Sequence, residues 1–134
     1  MDYLNINRKL WNDKTSIHYQ SDFYDVESFN QGKDSLNPIE IELLGDISGK
    51  SVLHLQCHFG MDSISLARRG SRVTGIDLSD ESIKQARELN EKSGTKVDFV
   101  LSDVYSLPQN LNRQFDIVFT SYGTVGWLPD MDKW

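Results

Sequence analysis

The stretch Val52-Leu53-His54-Leu55-Gln56-Cys57-His58-Phe59-Gly60 constrains this chain more than any other, because of its distance from a lone downstream acid. An apolar run enters a tight loop and the loop feeds a helix. Seventeen residues after Gly60, a second apolar run ends on the carboxylate of Asp77. Two strands joined through a helix lie parallel with a right-handed crossover, so their carboxyl ends share one edge of a sheet. The glycine turn of the first strand then sits beside the acid of the second. Ligands of such sheets bind at that edge, with the acid placed to grip ribose hydroxyls. The pattern points to a nucleoside-containing cofactor.

The same alternation continues along the chain. Asn37-Pro38-Ile39-Glu40 opens a helix as N-cap, first helical residue and capping-box acid, and Gly45 closes it. Strands are expected over Ser51–Gln56, Arg72–Ile76, Val97–Leu101 and Phe115–Ser121. Between them fall a helix over Asp62–Arg69, with Asp62 as its cap, and one from Ser79 to Ser93 that buries Ile83, Ala86 and Leu89 before Gly94. Residues 1–36 are polar and aromatic-rich. A short helix is expected over Asn5–Lys14 and another over Asp22–Gln31, the latter carrying Phe23, Tyr24, Val26 and Phe29. Such pieces cannot hold a core alone and must pack on the α/β region after residue 36. The chain therefore reads as an amino-terminal lid or substrate segment (1–36) and a cofactor-binding half-domain (37–134).

Composition removes several classes of function. Twenty acidic and 14 basic residues leave a net charge of −6, with Lys and Arg scattered, which argues against a nucleic-acid partner. One cysteine excludes an internal disulfide and fits a reducing cytosol. The start, Met1-Asp2-Tyr3-Leu4-Asn5, has no signal-peptide features, and no apolar run approaches the ~20 residues needed to cross a bilayer. A cytoplasmic protein is expected.

Four motifs in order give the chain a family resemblance from about Asn37 onward. The loop Leu53–Gly60, Asp77 at the end of the second strand, Asp103 after the third, and the strand Phe115-Asp116-Ile117-Val118-Phe119-Thr120-Ser121 resemble class I S-adenosylmethionine-dependent methyltransferases. A bacterial subgroup with the loop HLQCHFG and a later WLPD segment, here Trp127-Leu128-Pro129-Asp130, looks similar to this version. The family's usual first-motif acid is His54 here, two of its loop glycines are Gln56 and His58, and Gly60 remains. The loop is expected to survive these changes with φ negative at the non-glycine positions.

The resemblance implies a Rossmann-like α/β fold with strand order 3-2-1-4, helices on both faces and S-adenosyl-L-methionine as cofactor. It implies cofactor contacts from Gln56, Cys57, His58, Gly60, Asp77, Leu78, Asp103, Val104 and Ser121. Leu78 and Leu107 would sandwich the adenine. The acceptor would be a small molecule, with His18, His58 and Tyr122 as weak candidates for a catalytic base. Trp11, His18, Tyr19 and Tyr24 are either packing residues or part of a lid over the cofactor. His54, Cys57 and His58 invite a metal, but successive strand residues point to opposite faces and no metal is expected. His54 reads instead as a hydrogen-bonded core histidine. Two other functions compete: a nucleoside-binding module without catalysis, and a nicotinamide oxidoreductase. No glycine falls between Gly60 and Gly70, so the phosphate cradle of the latter is missing. Only four strands are accounted for, so the chain reads as the amino-terminal half of a protein of roughly 200–270 residues, inactive alone and prone to self-associate through its fourth strand.

Overall fold

A computed structural model describes residues 2–21, 25–121 and 124–134. Four parallel strands form one sheet: β1 (Ser51–Leu55), β2 (Arg72–Asp77), β3 (Asp98–Leu101) and β4 (Ile117–Thr120), in the order β3-β2-β1-β4. The register sets Leu53 beside both Thr74 and Val118, and Gly75 beside Phe99. The expected order is thus the observed one, and all four carboxyl ends open on the same edge.

Among the described residues six helices accompany the sheet: α1 (Tyr3–Tyr19), α2 (Val26–Asn30), α3 (Pro38–Leu44), α4 (Met61–Arg68), α5 (Asp80–Ser93) and α6 (Leu107–Asn110). Residues Val125–Trp127 form a 3₁₀ turn. The helices with strong local signals fall where the sequence puts them. Asn37 and Glu40 make a reciprocal capping box at α3. Ser79 accepts the amide of Ser82 to open α5, and Gly94 closes it at φ 68°. Asn90 then steers the chain into β3, its side chain bonding both the amide and the carbonyl of Val97.

Strand alternation divides the interior in two. Val52, Val73 and Phe99 face α4 and α5 and pack with Ile64, Leu66, Ile83, Ala86 and Leu89. Burial of each such side chain contributes about 1.5–3 kcal/mol. Val26, Phe29 and Leu36 belong to this same core, so the amino-terminal segment packs on the sheet domain. On the opposite face Leu53, Leu55 and Ile76 are covered by Val104, Leu107, Leu111 and Phe115. Helices therefore lie on both faces, but unequally. Among the described residues two long ones cover one side and the four-residue α6 the other.

Three expectations need correction. α1 runs 17 residues from its Asp2 cap rather than ending at Lys14, because polar contacts to distant segments, not an apolar stripe, hold it. α2 starts only at Val26, with Asp25 as its cap at φ 45°; Asp22, Phe23 and Tyr24 lie outside the described residues. α4 is capped by Gly60 at φ 85°, and Asp62 sits inside its first turn. A side chain at Gly60 would meet Phe99 Cζ at 2.5 Å, so the loop here is pressed directly onto the core.

Candidate functional site

The loops at the carboxyl edge enclose a cavity of about 550 Å³. Its floor comes from the β1 loop (Gln56 to Gly60), the end of β2 (Ile76 to Leu78), the segment after β3 (Ser102 to Tyr105), and Ser121 and Thr124 after β4. Parallel strands deliver all of these to one place although they span some 70 residues of sequence.

Asp77 is its most constrained charge. It is 8% exposed. One carboxylate oxygen accepts the His58 amide at 2.8 Å and the other the Ser79 amide at 2.9 Å. Burial raises the carboxyl to about 6, against the pull of these amides, which favour the charged form. Each oxygen keeps lone-pair capacity for a further donor.

The β1 loop departs from expectation. Gln56 and His58 stand where the resembled family has glycines, and they adopt the glycine conformation itself, at φ 53° and 54°, rather than staying at negative φ. Left-handed backbone costs a residue with a Cβ roughly 1–2 kcal/mol, so the surroundings must hold it there. Gln56 Nε2 donates to Thr124 O at 3.0 Å. Cys57 is buried, and its amide donates to Ile76 O at 2.8 Å. Burial pushes its thiol pKa up, which keeps it a small apolar group. His58 is bonded on both ring nitrogens, to His18 Nδ1 at 2.9 Å and to Ser82 Oγ at 3.2 Å. Burial lowers its pKa to about 3, with His18 adding to the effect.

His54 turns away from the cavity into the core, 1% exposed, with Nδ1 2.6 Å from Ser63 Oγ. Desolvation lowers its pKa to about 3 and keeps it neutral. His54 and His58 thus face different neighbours. Among the described residues no three His, Cys, Asp or Glu side chains group so as to hold a metal ion.

The far end of the cavity is acidic. Asp62 accepts the Ser35 hydroxyl at 2.6 Å, and burial raises its carboxyl to about 6. Glu40 and Asp34 stand close enough to push it the same way. Asp103 ties its own turn: it accepts the amides of Tyr105 and Ser106 and the Ser106 hydroxyl. Leu78 and Val104 line the cavity, whereas Leu107 packs under the sheet with Leu53 and Leu55 and does not.

Residues 1–36 are the expected lid or substrate segment, with Trp11 as packing or lid; what sequence reasoning missed is how this roof is bonded. Leu4, Asn7 and Trp11 of α1 and Trp127, Leu128 and Pro129 close over the opening. Asn7 Nδ2 bonds Trp127 O at 3.0 Å, and Arg8 Nε bonds Leu78 O at 3.1 Å. Trp11 meets Trp127 and His58 edge-on, with ring centres 5.2 and 5.1 Å apart. The WLPD segment was the available signal for one side of this roof. The acids Asp25, Asp34 and Glu40 had none. Tyr122 lies outside the described residues.

Residues 52–134 match a family model described as methyltransferase domain, and the chain belongs to that family. It is 38% identical over 112 residues to a ubiquinone biosynthesis O-methyltransferase of Bordetella pertussis, an alignment covering 81% of this chain and 46% of that protein. The chain spans about half the length of the curated relatives it matches. Among solved structures, magnesium protoporphyrin IX methyltransferase from Synechocystis with bound SAM aligns with a TM-score of 0.64 at 18% identity, covering 99% of this chain and 67% of that one. An S-adenosylmethionine-dependent methyltransferase from Clostridium acetobutylicum aligns at 0.60 with 21% identity, covering 96% and 48%. At those identities the likeness is one of fold.

Proposed function

We propose that the cavity binds S-adenosyl-L-methionine and that the protein transfers the cofactor's methyl group to a small molecule. The observation that carries this reading is Asp77: a nearly buried carboxylate at the end of β2, held by two backbone amides and facing a cavity in a methyltransferase domain. The donor set fits the cofactor. Among the described residues six carboxylates line the cavity (Asp25, Asp34, Glu40, Asp62, Asp77 and Asp103) against one cation, Lys33. That balance suits a ligand with a sulfonium and an ammonium group and disfavours the pyrophosphate of a nicotinamide dinucleotide.

In this proposal Asp77 accepts the ribose hydroxyls, Leu78 and Val104 flank the adenine and Asp103 meets its edge. Gln56, Cys57, His58, Gly60 and Ser121 line the remainder. S-adenosylmethionine, when bound, supplies a methyl group on a cationic sulfur, open to in-line displacement. Aligning the acceptor and excluding water carry most of such a reaction. The roof of α1 and Trp127 provides the exclusion, which supports residues 1–36 as a lid. A base is optional; of His18, His58 and Tyr122, the ring of His58 is engaged on both nitrogens, so His18 and Tyr122 are the side chains proposed for it. The names of the curated relatives support a hydroxyl-bearing acceptor. Among the described residues no helix is long and apolar enough to cross a membrane.

Asp77→Ala is expected to weaken S-adenosylhomocysteine binding about 10- to 200-fold by calorimetry, since a charge-assisted hydrogen bond contributes roughly 1.5–3 kcal/mol. Unchanged affinity in a folded variant would remove the ribose assignment. A binding module without catalysis predicts the same result, and a methylation assay on hydroxylated metabolites separates the two. Self-association through β4 is supported by its place at the sheet edge, where Val118 is 61% exposed. Sedimentation should show dimers that Val118→Lys dissolves; a monomer at every concentration would refute it.

A further inference from the structure

We infer that His18 is a positioning residue for the cofactor loop: a one-way chain of hydrogen bonds from α1 holds the His58 ring, and with it the backbone amide that His58 gives to Asp77. The inference rests on the reading of Asp77 as the ribose-binding acid.

The direction of the chain comes from counting protons. The Thr15 hydroxyl lies 2.6 Å from Trp11 O, a carbonyl that can only accept, so the single hydroxyl proton of Thr15 goes there. Thr15 Oγ1 also lies 2.8 Å from Ser82 Oγ, so Ser82 must supply that proton. Ser82 then has none left for His58 Nδ1 at 3.2 Å, and His58 must donate from Nδ1. A neutral His58 carries its lone pair on Nε2. His18 Nδ1, 2.9 Å from that atom, is therefore the donor. Both histidines hold their proton on Nδ1. One backbone carbonyl thus orients four hydrogen bonds that link α1, α5 and the β1 loop.

The consequence reaches the site through the His58 backbone. That residue sits at φ 54°, a conformation it would leave if its ring were released. Its amide donates to Asp77 Oδ2 at 2.8 Å. Trp11 and Phe59 pack on the same ring, with centres 5.1 and 4.5 Å away, and leave it little freedom while both nitrogens are engaged. Losing the His18 donor would remove one of the bonds that hold the His58 ring and let the loop relax away from Asp77. An asparagine at this position keeps an N–H near the place of Nδ1, an aspartate offers only acceptors, and an alanine offers nothing.

The test uses the unliganded chain first. Long-range proton–nitrogen spectra of the imidazoles should find both His18 and His58 protonated on Nδ1; either ring protonated on Nε2 alone overturns the chain. Hydrogen exchange should show the His58 amide protected in the wild type and in His18→Asn, and deprotected in His18→Ala and Ser82→Ala. Protection unchanged in both alanine variants overturns the coupling. Calorimetry with S-adenosylhomocysteine should then show His18→Asn within about twofold of wild type, and His18→Ala and His18→Asp weaker by about five- to tenfold. Equal affinity in all three sinks the positioning role. If the wild type binds no S-adenosylhomocysteine, the cofactor reading fails, and the exchange and tautomer measurements still decide the chain.

Discussion

α1 and α5 pack against each other, yet they are held in different proportions by apolar burial and by hydrogen bonds. α5 presents Ile83, Ala86 and Leu89 to the sheet at 0–2% exposure, and a cap at each end fixes its length. α1 has three more residues and buries only Thr15. Ile6 and Ile17 remain 53% and 67% exposed. Tyr19 packs on the core against Phe59 and Trp11 meets Trp127 and His58, but most of what holds α1 is a set of hydrogen bonds: Asn12 to Ser79 and Asp80, Thr15 to Ser82, His18 to His58, Asn7 and Arg8 to backbone carbonyls across the cavity. Apolar docking is lost only when the core opens. Polar docking exchanges with water at small net cost, about 0.5–1.5 kcal/mol per bond. The floor should therefore open only with the core, whereas the polar contacts of α1 can exchange with water at lower cost.

The floor should break hardest at Gly60. Gly60→Ala places a Cβ 2.5 Å from Phe99 and forces an L-residue to φ 85°. A loss of about 4 kcal/mol or more is expected in urea unfolding, the range reached by core overpacking joined to backbone strain. A loss below 1 kcal/mol would mean the floor is looser than described.

Leu89→Ala, which empties a site at 0% exposure, should cost about 3 kcal/mol. Asn12→Ala, which removes the roof's bonds to Ser79 and Asp80, should cost under about 1 kcal/mol of global stability while speeding hydrogen exchange throughout α1. Similar costs for the two would erase the distinction between floor and roof.

Between them lies the site, and pH reads it. With its carboxyl near 6, Asp77 is charged at pH 7 and mostly protonated at pH 5. A protonated acid accepts the ribose hydroxyls poorly, so affinity for S-adenosylhomocysteine should fall about tenfold from pH 7 to 5, and Asp77→Asn should flatten that fall. Stability reports this less cleanly. The raised carboxyls of Asp77 and Asp62 contribute stability below pH 3.8 that disappears as pH rises through 6. His54 and His58, lowered from 6.5 to about 3, contribute stability above 6.5 that disappears as pH falls toward 3. The two trends oppose each other over most of that window, so binding is the measurement to make. A flat affinity profile in the wild type would remove Asp77 from the contact.

The order of the strands came from the family resemblance; the sequence by itself determined the strands, the capping box at Asn37 and Glu40, the limits of α5 at Ser79 and Gly94, and the position of Asp77 at the end of β2. Each rests on residues a few places apart: a cap and its amide, an apolar run and its stop. Tertiary structure alone decided the left-handed backbone of Gln56 and His58, the capping of α4 by Gly60, the docking of Leu107 under the sheet, and the full length of α1. It also decided which acids join Asp77 around the cavity, since Asp25, Asp34 and Glu40 carry no local mark of a site. Thr15 and Ser82 are 67 residues apart, and His18 and His58 are 40. No pattern within α1 records a proton that must come from Ser82, because its direction depends on a carbonyl, two hydroxyls and two rings that meet only in the folded chain.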